Sequence, residues 1–118
     1  MKTNVTNEEL RELDCEIECI VFGRTDCKAT GDCFGSIEYD SDKMPPRMFT
    51  TDAAASDALD DAILKKLKGK FDGYKTWFTG INHIYQCVNG KRFAEHPDKK
   101  VCRALFAKQL FKPTTEGV

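Results

Sequence analysis

A chain of 118 residues and 13.3 kDa is sized for one domain and can bury a core without a metal or a disulfide framework. Hydrophobic residues at 41% and charged residues at 31% exclude a disordered chain, and no apolar run nears the ~20 residues that cross a bilayer. The net charge of −1 hides a segregation: residues 1–60 hold 14 acids against 6 bases, and residues 61–118 hold 12 bases against 5 acids.

The first stretch, Met1 to Glu9, is polar and acidic and does not read as a secretory leader. Thr6 and Glu9 have capping-box spacing, which predicts a short helix through Leu13. Leu13, Cys15, Ile17, Cys19 and Val21 then alternate with Asp14, Glu16 and Glu18, and period two predicts a strand over 14–22. A turn-rich loop, 23–32, leads to a second strand from Cys33 to Tyr39 in an antiparallel hairpin. Residues 40–51 read as an exposed proline-containing loop.

Thr51 or Asp52 caps the next helix, Ala55, Ala58, Leu59, Ala62, Ile63 and Leu67 form its buried stripe, and Gly69 stands just past its end. Strands follow at Tyr74–Thr79, Ile81–Val88 and Lys91–His96, the last two joined by Asn89-Gly90, a strong hairpin signal. Pro97-Asp98 opens a final amphipathic helix with Val101, Cys102, Leu105, Phe106 and Leu110 on one side, ending before Pro113. The expected fold is one α+β domain over 1–118. It has an antiparallel sheet of about five strands in hairpins, two main helices on one face and a short N-terminal helix.

Six cysteines, Cys15, Cys19, Cys27, Cys33, Cys87 and Cys102, contain no C-x-x-C pair. Bridges between Cys27 and Cys33 and between Cys87 and Cys102 are conceivable, but spacing alone selects no pairing. No metal or cofactor is expected.

A two-residue Asn89-Gly90 turn makes opposed residue numbers sum to 179, so His83, facing His96, meets the only other histidine in a non-hydrogen-bonded position. Tyr85, Cys87 and Arg92 share their face. Such a pair suits acid–base chemistry or part of a metal site. No P-loop, G-x-S-x-G, G-x-G-x-x-G or H-E-x-x-H accompanies it, so no catalytic residue is assigned and an enzyme is not expected.

Two surfaces are candidates for binding. In the proline loop, Met44, Arg47, Met48 and Phe49 combine residue types favoured at protein interfaces. In the basic half, Lys70, Lys75, Lys91, Arg92, Lys99, Lys100 and Arg103 lie among eight of the twelve aromatics, a pattern suited to phosphate or an acidic partner. The expected function is a small cytoplasmic binding protein that occupies a protein partner's surface as inhibitor, adaptor or regulator. The alternatives are a nucleic-acid binder and, had a leader been removed, a secreted disulfide-stabilised effector or toxin. Oligomeric state is left open.

Overall fold

The computed structural model describes residues 6–23, 27–29, 37–39, 47–68, 73–88 and 92–111. Along these the chain runs α1 (Asn7–Ile20), β1 (Cys27–Ala29), β2 (Ile37–Tyr39), α2 (Ala53–Leu67), β3 (Tyr74–Phe78), β4 (His83–Cys87), β5 (Phe93–His96) and α3 (Lys99–Phe111).

The N-terminal region corrects the expected short helix and strand. The Thr6–Glu9 capping box forms, and the helix it starts continues to Ile20. No Gly or Pro interrupts residues 7–22, so a nucleated helix has nothing to stop it. The apolar residues that alternate also fit helical spacing: Leu13 and Ile17 are buried one turn apart. Asp14 and Glu18, expected on a solvent face, are buried beside them.

With 14–20 helical, the expected hairpin changes partners. β2 pairs with β1, Cys27 opposite Tyr39 and Ala29 opposite Ile37, as a two-stranded ribbon against α1. The remaining strands form a separate antiparallel sheet in the order β3–β4–β5. One continuous sheet of about five strands is therefore not what the described residues form.

Asp52 caps the start of α2, its side chain accepting from the Ala55 amide at 2.9 Å, and Lys68 caps its end; Gly69 lies outside the described residues. α3 begins at Asp98, whose carboxylate accepts from the Lys100 and Val101 amides at 2.8 and 3.2 Å. α3 lies on β4 and β5, with α1 and α2 packed against it. The core between these layers holds Ile17, Phe49, Leu59, Ile63, Tyr85 and Phe106, all fully buried. Each such side chain contributes roughly 1.5–3 kcal/mol relative to exposure.

The β4–β5 register is as the turn arithmetic predicts, His83 opposite His96 and Tyr85 opposite Ala94. The hydrogen-bonding phase is not. The Cys87 amide donates to the Arg92 carbonyl at 2.9 Å, while the Val88 amide turns to Gly73 at 3.0 Å. Cys87 and Arg92 are thus a bonded pair, and by alternation so are His83 and His96. Asn89, Gly90 and Lys91 lie outside the described residues.

Candidate functional site

Alternation gives the three-stranded sheet two faces with different surroundings. Tyr74, Thr76 and Phe78 share one face with His83, Tyr85 and Cys87 and with Ala94 and His96. That face meets α3, where the Tyr85 ring packs against Tyr74 and Phe106 with centroids 5.8 and 6.0 Å apart. The other face carries two cross-strand rows, Lys75–Gln86–Phe93 and Trp77–Ile84–Glu95. Trp77 is 43% exposed and Phe93 50%, and Ile81, between β3 and β4, is 74% exposed. No described helix covers them. Apolar side chains scattered singly on a surface need no explanation, but Trp77, Phe93 and the half-buried Ile84 share one open sheet face, and that grouping makes the face a candidate contact surface. Glu95 is held there by the Asn82 side-chain amide, which donates to it at 2.7 Å.

The histidine pair sits on the opposite, core-facing side. His96 is buried and its Nδ1 accepts from the Asp98 amide at 2.9 Å, so it serves the start of α3. Its Nε2 is buried with no hydrogen-bond partner. His83 is half-buried, and the Phe78 ring lies 4.5 Å from it. Among the described residues no three His, Cys, Asp or Glu side chains gather as a metal site, so no described side chain completes a ligand set around the two imidazoles.

The proline-loop candidates divide. Met44 lies outside the described residues. Met48 is exposed, whereas Phe49 is fully buried and stacks on Phe22 at 5.5 Å, which makes it core and removes it from any contact surface. Arg47 is engaged internally: Nη2 and Nε donate to Glu18 at 2.9 and 3.3 Å, its own amide donates to the same carboxylate at 2.9 Å, and the guanidinium lies 4.1 Å over Phe22. One turn earlier on α1, Asp14 accepts from the Thr50 amide at 2.9 Å and the Thr50 hydroxyl at 3.3 Å. Two buried acids therefore hold residues 47–50 against α1. Burial pushes the Asp14 carboxyl up to about 6 despite the Thr50 hydrogen bonds and the nearby Arg11, which pull the other way.

The basic candidates differ in burial and engagement. Lys70 and Lys91 lie outside them; Lys75 and Lys99 are exposed, Arg92 and Lys100 half-buried. Arg103 is committed inward, donating to Ser56 at 2.7 Å with Asp57 and Asp60 at 3.7 and 3.8 Å. It faces the Tyr85 ring at 6.0 Å, and Tyr85 Oη and Arg103 Nε are both buried without hydrogen-bond partners. Tyr74 donates to Asp60. Burial raises the pKa of both tyrosines; beyond burial, Asp60 raises that of Tyr74 further, whereas Arg103 partly offsets the rise at Tyr85.

Cys87 and Cys102 are free thiols, so the bridge considered between them does not form. Cys102 Sγ donates to the His83 and Ala94 carbonyls at 3.1 and 3.3 Å. Cys33 and the Cys27 side chain lie outside what is described.

Sequence reasoning did not single out Trp77, Ile84 and Phe93 as a surface. The signal was present, since alternation places Trp77 and Phe93 off the face that carries Tyr85. No known protein family matches the chain, and comparison with curated proteins and with solved structures finds no match either.

Proposed function

We propose that this chain is a binding protein that seats a protein partner on the outer face of its β3–β5 sheet. The observation that carries the reading is the open face itself: Trp77, Ile84 and Phe93 form an apolar centre, and Lys75, Gln86 and Glu95 supply a polar rim. Aromatic anchors within such a rim are the usual anatomy of a protein–protein contact. Support for a protein partner over nucleic acid comes from Glu95 within the rows and from the inward commitment of Arg103. A lysine beside two stackable aromatics keeps the nucleic-acid alternative concrete, and low-salt gel shifts with single-stranded DNA and RNA address it.

The test places a photo-crosslinking amino acid at Phe93 and, as control, at Leu64, an exposed apolar position on α2. Illumination in an extract of the source cells is expected to yield a discrete protein adduct from position 93 and none from 64. Trp77→Ala should abolish that adduct without lowering the melting temperature. Equal labelling from both positions, or survival of the adduct in Trp77→Ala, would refute the assignment.

A further inference from the structure

β3 is unusual within its sheet. It is one of the two edge strands, and none of its five residues is buried, whereas β4 and the other edge strand, β5, each contain buried positions. The Val88 amide donates to Gly73 and the Thr79 amide to Asn82, so the odd-numbered backbone groups of β3 face β4. By alternation the amides and carbonyls of Tyr74, Thr76 and Phe78 point out from the edge, and no described strand pairs with them. A row of unpaired backbone groups is a template for another strand.

We propose that this edge pairs antiparallel with β3 of a second copy of the chain, about a two-fold axis through Thr76. This rests on the edge and is independent of what binds the outer face. The register follows from complementarity. Centred on Thr76, all five residues overlap, and the outward backbone groups of Tyr74, Thr76 and Phe78 meet their counterparts on the second copy. Lys75 then opposes Trp77 of the second copy, a cation–aromatic pair, and Tyr74 opposes its Phe78, an aromatic pair. Centring on Lys75 sets two like charges opposite each other, and centring on Trp77 leaves only three residues overlapped. Only the Thr76-centred pairing combines full overlap with no repulsion, as an isologous two-fold contact requires. The pairing joins two sheets into one of six strands, with the outer faces of both copies continuous.

Sedimentation velocity in reductant, over a rising concentration series, is expected to move from 13.3 kDa toward twice that mass. Emission from Trp77, the only tryptophan, should shift to shorter wavelength over the same range. Thr76→Pro removes an amide that points away from β4, so the fold should survive. Dimerisation should weaken at least tenfold, about 1.4 kcal/mol. Hydrogen exchange needs no variant: the amides of Tyr74, Thr76 and Phe78 should gain protection with concentration. A 13.3 kDa species at every concentration overturns the proposal and leaves the edge to a foreign strand. A dimer that a folded Thr76→Pro retains, or one forming without protection of those amides, also overturns it.

Discussion

Glu18, 1% exposed on α1, receives both the backbone amide and the forked guanidinium of Arg47, a residue 29 positions further along the chain. The geometry is bidentate, and the guanidinium also covers the stacked Phe22 and Phe49 rings, 4.1 and 5.0 Å from their centroids. Removing the arginine strips two donors from a buried carboxylate. Breaking a buried pair costs about 3–5 kcal/mol; with the Arg47 side chain 43% exposed, about 2–3 kcal/mol is expected for Arg47→Ala. Arg47→Lys should recover only part of this, because an ammonium lacks the fork and the flat stacking surface. Urea denaturation of both variants measures the loss. A change under about 0.5 kcal/mol in Arg47→Ala would class the pair with ordinary surface ion pairs.

The distance along the chain explains why this latch was illegible in the sequence. Asp14 and Glu18 meet Thr50 and Arg47 across separations of 36 and 29 residues, and nothing local announces that an acid will be buried. Local devices were readable: the Asp52 cap, the capping box at Thr6 and Glu9, and the β4–β5 register all follow from nearby residue types. Residues 14–20 were misread because their apolar positions satisfy two periods at once, and the helix start upstream decides between them. Trp77 and Phe93 read in the sequence only as two of the aromatics of the basic half, not as one face of a sheet. Which sheet face receives a helix depends on where α3 packs, and alternation alone does not carry that information.

Asp14 titrates against the usual direction for a hydrogen-bonded carboxylate. Its pKa is pushed up to about 6 from 3.8, so the folded state binds the proton more tightly than the unfolded chain does. Its contribution is therefore most favourable below about pH 4 and is lost as pH climbs through 6. Asn at this position keeps an acceptor for the Thr50 amide and carries no charge. Asp14→Asn should exceed the wild type at pH 8 by about 1–2 kcal/mol, with the advantage shrinking toward pH 4. Melting curves of the two proteins across this range test it. A constant difference at all pH values would show that burial of the charge is not the cause.

The two thiols at the sheet should be inert while the protein is folded. Burial pushes the Cys102 thiol up to about 12, and that of Cys87 is raised by burial as well, against the pull of Arg92. Only the thiolate attacks an alkylating agent. Iodoacetamide at pH 8 is expected to leave Cys87 and Cys102 unmodified in the native protein and to label both in urea, as peptide mass spectrometry would read. Native labelling at either site would contradict its burial.

Tyr74 and Tyr85 stack on one another yet spend their hydroxyls differently, and that difference predicts opposite responses to the same substitution. Tyr74 donates to Asp60, a carboxylate that Arg103 also approaches, so Tyr74→Phe deletes a hydrogen bond to a charged acceptor. Bonds of that kind are worth roughly 1.5–3 kcal/mol, and the half-buried position of Tyr74 places the expected loss at about 1–2 kcal/mol. The Tyr85 hydroxyl is buried without a partner beside the Arg103 guanidinium, so it contributes desolvation cost and no bond. Tyr85→Phe removes that cost while keeping the ring packed on Phe106, and stability should be unchanged or raised by up to about 1 kcal/mol. The two variants differ from wild type by one oxygen each, which makes their comparison insensitive to packing. Chemical denaturation of the pair decides the matter: a destabilised Tyr85→Phe would mean that its hydroxyl is bonded in solution, with Arg103 Nε, which has Asp60 at 3.8 Å but no hydrogen bond, as the group to examine by the double variant.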